Sequence, residues 1–358
     1  MGRRASFRYL WGQPCGGSSP LPGTNMKQNS MILIDHPHIT DPRINLAIEE
    51  YTLTHLDLST MHLLFYVNEP SIIIGKHQNT HEEINHDYVE KNHIHVIRRV
   101  SGGGAVYHDL GNLNFSILTQ SKNSIANDYQ FFLAPVIAAL NHLGVNAIAT
   151  GRNDIAVDNR KISGTAQYRK GENVFCHGTL LFNSNIDAIV SSLNVKPDKI
   201  QSKGIQSIRS RVANISDFLT QAMTLNQFKH LLMKAIFNQQ PHHHSFQAHD
   251  WKKIHTLAKE KYSSWEWNYG KSPEFNVQAQ KRLPIGEIDV RLNVKEGIIQ
   301  DIKIYGDFFA QQDIHELETL LLHQPYDKQA LNKRLNQLDL NLYFGEIDKA
   351  LFLSILLP

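Results

Sequence analysis

Apolar and polar positions switch between helical and strand-like patterns along the chain, and the switches map its elements. Asp41 and Pro42 open "DPRINLAIEEYTLTHL", which continues through Leu46, Ile48 and Leu53. An aspartate N-cap with proline at the first helical position predicts a helix over 41–56. Short apolar runs at "HLLFYV" (62–67) and "SIIIG" (71–75) flank Asn68-Glu69-Pro70 and predict a pair of strands. "IHVIRR" (94–99) predicts another strand, and "AVYH" with "LNFSIL" a hairpin around Asp109–Gly111. "DYQFFLAPVIAALNHLG" (128–144) has helical periodicity, with a kink at Pro135 and Gly144 as its stop. Strands near 155–158, 160–166 and 173–182 follow, and then an amphipathic helix at "LNQFKHLLMKAIFNQ" (225–239). Strands in the middle, helices at the flanks and hairpin-length connections predict an antiparallel sheet in an α+β layout, without alternating βαβ units.

The pattern restarts after residue 240. "PHHHSFQAHDW" is a polar loop, and from Ile285 "GEIDVRLNV" alternates and pairs with "IIQDIKIYG" across Lys295-Glu296-Gly297. Two or three helices run to the end. This reads as a separate C-terminal accessory domain over 280–358, after a boundary near 276–280. At the other end, "MGRRASFRYLWGQPC" has no periodicity and "GGSSPLPGTN" is linker-like. Residues 1–30 therefore read as a leader, an expression leader first and a targeting peptide second, outside the fold. The main domain spans 31–275.

Composition narrows the classes. The 358 residues are 41% hydrophobic and 20% charged, an ordinary globular balance, and the formal charge of +2 is too mild for a nucleic-acid binder. With only Cys15 and Cys176, no disulfide framework is expected and a reducing, cytoplasmic location fits. No run of 18 apolar residues calls for a membrane span.

The chemistry gathers at "IRRVSGGGAVYHDLGN". Glycine is entropically costly, so three in a row between strands need a reason. A tight turn with solvated arginines is one. The other is a nest of backbone N–H groups that, with Arg98 and Arg99, takes a carboxylate or phosphate. The spacing fits neither phosphate-loop signature that opens a helix. A second constellation, "GRNDIAVDNRKISGTAQYRKGENVFCHGTLLFN" (151–183), again sets a cation, Lys161, beside Ser163-Gly164.

Six motifs, "RRVSGGGAVYHDLGN", "GRNDIAV", "RKISGTA", "HGTLL", "KGIQSIRSRVANI" and "SSWEWNYG", occur in the order and at spacings similar to those of bacterial lipoate–protein ligases. The resemblance implies a mixed sheet with flanking helices, like that of biotin protein ligases and class II aminoacyl-tRNA synthetases, plus a small α+β C-terminal domain. It implies two steps: lipoate and MgATP give lipoyl-adenylate, and the lipoyl group then passes to an acceptor lysine. The acceptors implied are lipoyl domains of 2-oxoacid dehydrogenase E2 subunits and the glycine cleavage H protein, the enzyme acting as a monomer without nucleic acid or membrane.

By the same resemblance, Arg99 and the Gly104, Ala105, Val106, Tyr107 and His108 stretch hold the adenylate, with Asn153 and Asp154 orienting nucleotide or metal. Arg98, Ser101, Gly102 and Gly103 line the junction with the lipoyl carbonyl. Lys161 contacts carbonyl and phosphate and is the catalytic cation. An apolar pocket for the lipoyl tail draws on Tyr66, Phe175, His177 and either Glu49 or Glu50. Core packing is the competing reading for Tyr66 and His177, and a strand-end hydrogen bond for Asp154. Mg²⁺ is expected with ATP, its protein ligands unassigned.

Other functions are weaker. An octanoyltransferase without ATP needs a thiolate. Cys176 alternates with His177, so the two face opposite sides of a strand. The glycine–arginine loop of biotin ligases is absent, and a non-enzymatic carrier would not need Lys161 with both arginines. "KGIQSIRSRVANI" reads as a basic mobile loop carrying Lys203, Arg209 and Arg211. His242–His244 do not converge on a metal in regular structure.

Overall fold

The structure, a computed structural model, describes residues 31–121, 128–151, 153–194, 210–237, 240–269 and 276–357. The leader and most of the basic loop, including Lys203 and Arg209, lie outside the described residues.

Eight strands form the main sheet in the order β11 (His242–His243), β1 (Ile32–Asp35), β2 (His62–Tyr66), β6 (Asn112–Gln120), β10 (Asn173–Leu181), β9 (Arg160–Lys170), β8 (Asp154–Val157) and β7 (Ile148–Thr150). Side-chain alternation along β6 and β10 assigns two layers. Phe115, Ile117, Cys176 and Leu180 face a core closed by the helices Tyr129–His142 and Leu225–Phe237. Leu118 and Phe175 face the opposite core, beneath helix α1 (Pro42–His55). Asp41 caps α1 as expected, its carboxylate accepting the Arg43 N–H at 2.8 Å.

A second sheet, β4 (His95–Arg98), β3 (Ser71–Ile74) and β5 (Val106–His108), packs beside the first. Two expected pairings are therefore wrong: β2 does not pair with β3, and β5 and β6 are not a hairpin. Both connections have hairpin length, but β2, β3 and β6 are buried on both faces, and without alternation nothing fixes their partners. Both sheets are also mixed: in the main one β1 runs parallel to β2 and to β11, and in the second β3 runs parallel to β4 and antiparallel to β5.

Residues from Val277 onward build a sheet of β12 (Val277–Leu283), β13 (Gly286–Lys295) and β14 (Ile298–Gly306), backed by four short helices around Val290, Ile304, Leu317 and Phe352. Edge strand β12, "VQAQKRL", is mostly polar and gives no sequence signal. This unit docks on the segment after β3. The Phe308 ring stacks on His77 at 5.0 Å, the Gly306 N–H donates to the His77 carbonyl at 2.6 Å, and Lys76 pairs with Asp313 at 3.3 Å.

Candidate active site

Adjacent arginines at the end of β4 point opposite ways and do different work. Arg99 turns in under the glycine loop. Its Nη2 donates to the Gly102 and Gly104 carbonyls at 2.6 and 2.8 Å, Nη1 to the Ile73 carbonyl at 2.8 Å, and Nε to Ser101 Oγ at 3.0 Å. The buried guanidinium thus gathers the loop's carbonyls on one side. Burial lowers its pKa to about 10, so it stays charged at neutral pH. Gly103 sits at φ +88°, where side chains are disfavoured. The tightest approach is elsewhere: a Cβ on Gly75 would lie 1.8 Å from the Gly103 carbonyl oxygen.

Arg98 is a structural clamp and does not line the cavity. Its side chain donates to the carbonyls of Gly75, Lys76, Gln78, Trp267 and Asn268 and to the Thr80 hydroxyl, between 2.6 and 3.2 Å. Asn268 Oδ1 in turn accepts the Arg98 N–H at 2.9 Å. The "SSWEWN" motif therefore closes around this arginine.

Beside the loop lies a cavity of about 650 Å³, open mouth included. Of the residues expected at the site, Tyr66, Arg99, Gly103, Gly104, Ala105, Val106, His108, Asn153, Lys161 and His177 border it. Ser101, Gly102, Tyr107, Asp154 and Phe175 do not, and act one step back or face another core. Tyr107 alternates away from Val106 and His108 into the cluster around Ile72 and Val89. Phe175 packs beneath His177 at 4.8 Å. Sequence reasoning missed Leu46, Ile73, Asn114, Thr179 and Phe309, which also line the cavity. Phe309 arrives from the C-terminal unit and stands 3.2 Å from where a Gly103 Cβ would be.

Lys161 is half-exposed, not buried as a catalytic lysine facing two anions would suggest, and its Nζ lies 2.8 Å from Asp154 Oδ1. Gly164 makes room for it: a Cβ there would come within 2.8 Å of Nζ. Asn153 ties β8 to β9, its side chain donating to the Thr165 carbonyl while the Thr165 hydroxyl donates to the Asn153 carbonyl.

His177 is held at both nitrogens. Nδ1 donates to the buried Glu49 carboxylate at 2.9 Å, and Nε2 shares a hydrogen bond with Ser101 Oγ at 2.8 Å. Of the two glutamates considered, Glu50 is engaged elsewhere, by Lys261 and the Tyr262 hydroxyl. Cys176 faces the core behind the sheet, and burial pushes its thiol well above the usual range. Among the described residues no thiol faces this cavity, Cys176 being turned to the other side of the sheet.

Residues 41–237 match the model of the lipoyl protein ligase A/B catalytic domain, and 272–356 that of the bacterial lipoate protein ligase C-terminus. Lipoate-protein ligase LplJ of Bacillus subtilis (strain 168) is 53% identical over 330 residues, 91% of this chain and 100% of that protein. The chain belongs to the bacterial lipoate–protein ligase family. Two solved structures of lipoate ligases support the fold. One is Plasmodium falciparum LipL1 in complex with lipoate, 26% identical, TM-score 0.73, covering 90% of this chain and 97% of that one. The other is a lipoate-protein ligase A bound with ATP, 29% identical, TM-score 0.58, covering 68% of this chain and 98% of that one.

Proposed function

We infer that the chain is an ATP-dependent lipoate–protein ligase, which joins lipoate to AMP and then transfers the lipoyl group to a lysine of an acceptor protein. The observation that carries this reading is one cavity bordered at once by the glycine loop, Lys161 and an apolar wall of Leu46, Tyr66 and Ile73. The sheet order gives its length. Tyr66 on β2 and Lys161 on β9 are three strand spacings apart, about 14 Å. An eight-carbon acid with a terminal ring fits with its tail toward Tyr66 and its carboxylate toward Lys161.

The carboxylate attacks the α-phosphorus of ATP and pyrophosphate leaves. Negative charge builds on the oxygens between the two groups. Lys161 leaves Asp154 when the two anions bind, so its charge is in place before the transition state forms. The bare backbone at Gly104 and Ala105 lets the anions approach. In the second step the acceptor amine attacks the acyl carbon, AMP leaves, and Lys161 again offsets the charge. Phe309 over the mouth keeps water from the mixed anhydride.

The chemistry expected of Mg²⁺ is to screen the triphosphate. Among the described residues no cluster of three metal-binding side chains occurs, and the carboxylates just behind the cavity wall, Asp154 and Glu49, already face Lys161 and His177. These residues fit an ion carried in by the nucleotide, with Asp154 the one group it would meet once Lys161 moves.

Lipoyl domains of 2-oxoacid dehydrogenases and the glycine cleavage H protein are the proposed acceptors, and the cytoplasm the proposed location. Among the described residues no helix is long and apolar enough to cross a membrane. Mass spectrometry of an apo lipoyl domain after incubation with the chain and lipoate tests the reading. A lipoyl mass gain from free lipoate only with MgATP supports it, and a gain without ATP when a lipoyl thioester on a carrier protein replaces free lipoate, the carrier thiol leaving, points to an acyltransferase.

A further inference from the structure

His108 carries a polar atom that the described residues leave without a partner. The orientation of Asn45 is fixed by backbone: its Nδ2 lies 3.1 Å from the carbonyl oxygens of both Ile39 and Val67. Carbonyls only accept, so the amide nitrogen faces them. The same nitrogen donates to Asn68 Oδ1 at 2.9 Å. Asn68 Nδ2 is thereby turned to His108 Nδ1, 3.0 Å away. An amide nitrogen donates, so Nδ1 must hold a lone pair and the proton of the neutral ring sits on Nε2.

That ring is wholly buried, and burial with Arg99 and His177 nearby lowers its pKa to about 3, so it is neutral near pH 7. Nε2 is buried without a hydrogen-bond partner among the described residues, while the ring borders the cavity. A buried donor is costly to leave unmade unless a ligand completes it. His177, the other histidine of the cavity, cannot serve, because Glu49 and Ser101 occupy both its nitrogens.

The location selects the ligand atom. Asn68, which holds His108, lies two residues beyond Tyr66 at the end of β2, so His108, expected by resemblance with the adenylate, is placed at the Tyr66 end of the cavity. On the ligase reading above, which this inference deepens, that end receives the acyl tail. A lipoyl tail ends in two ring sulfurs, soft acceptors; a straight-chain acid of the same length ends in a methyl group, which accepts nothing.

We propose that His108 is a specificity-determining residue, its Nε2–H held toward the tail by the Asn45–Asn68 relay and donating to a dithiolane sulfur, so that cyclic disulfide acids are preferred over plain fatty acids. Asn45 and Asn68 are positioning residues for that donor.

The test uses the full chain with lipoate and with octanoate. Nitrogen-15 NMR of labelled histidine should show His108 as the neutral Nε2–H form, with the Nε2 signal shifted by lipoate and not by octanoate. ATP–pyrophosphate exchange should give a lipoate-to-octanoate ratio of kcat/KM that falls about five- to tenfold in His108→Leu. The NMR reading decides the matter on the wild-type chain if that variant does not fold. A ratio indifferent to His108, a ring protonated at Nδ1, or an Nε2 signal unmoved by lipoate would overturn the inference alone. Exchange with neither acid would remove the ligase reading along with it.

Discussion

Lys161 Nζ rests 2.8 Å from Asp154 Oδ1, and the same lysine folds over Gly164, where even a Cβ would come within 2.8 Å of it. The cation proposed for the reaction is thus parked on a half-exposed carboxylate, at the edge of the cavity. Lys161→Ala should slow both half-reactions at least about 100-fold, as loss of one preorganised donor does. The thermal midpoint should hardly move, because an exposed pair of this kind contributes at most about 1 kcal/mol. Lys161→Arg should rescue poorly, since the larger planar head has no room over Gly164. Single-turnover kinetics alongside a melt check all three.

The glycines of the loop separate by role. A side chain at Gly103 is strained by φ +88° and would press on Arg99 Nη2 and the Phe309 ring at 3.1 and 3.2 Å. Gly103→Val should lose both stability and activity. Among the described residues nothing lies within 4 Å of a Gly104 Cβ, so Gly104→Val should melt like the wild type yet lose lipoate adenylation, its branches filling ligand space. Full activity in a well-folded Gly104→Val chain would show that no ligand uses that space.

Arg98→Ala should be a folding defect. Six oxygens accept from this one side chain, and truncation leaves buried carbonyls unsatisfied. A loss of at least about 3 kcal/mol in urea unfolding is expected. If the variant kept wild-type stability and lost only lipoate affinity, Arg98 would belong to the binding site after all.

Stability should fall on acidification. Burial lowers both His77 and His108 to about 3 in the folded state. Unfolded histidine takes up a proton near pH 6.5, so below that pH the unfolded chain binds protons that the native state refuses. The native advantage is complete above pH 6.5 and is lost as pH drops toward 3, by about 1.4 kcal/mol per pH unit for each ring. Unfolding free energies measured down from neutral pH should show this slope, and His77→Phe, which keeps a ring against Phe308, should make it shallower. An unchanged slope in that variant would count against a neutral buried His77.

Phe309 ties the two units functionally. Its ring stands over the loop and edge-on to Tyr129 at 6.1 Å. Phe309→Ala should leak free lipoate and AMP by letting water reach the adenylate, while transfer to acceptor continues. Product ratios by chromatography read this directly.

Much of this was legible in the sequence because it is local. The Asp41-Pro42 cap, the Gly102–Gly104 run, and Lys161 three residues before Gly164 declare themselves by residue type and spacing. The alternation of Cys176 and His177 shows that only one of them can face the cavity, and the structure puts His177 there. What stayed hidden depends on distant partners. The divergence of Arg98 and Arg99 is set by Trp267 and Asn268 on one side and the loop carbonyls on the other. Gly75 looks like an ordinary strand end until Gly103 is placed against it. The pairings of β2, β3, β5 and β6 were misread for a related reason: strands buried on both faces carry no register in their own pattern. Asn45 and Asn68, 23 positions apart, gave no signal at all, since an amide that orients a histidine looks like any other polar residue.

The most direct test of the account is lipoate-dependent exchange of pyrophosphate into ATP, measured for the wild-type chain and for Lys161→Ala. The account predicts rapid exchange that requires lipoate, and a drop of at least about 100-fold in a variant that melts normally. Near-normal exchange by a well-folded Lys161→Ala chain would contradict the placement of activation chemistry in this cavity.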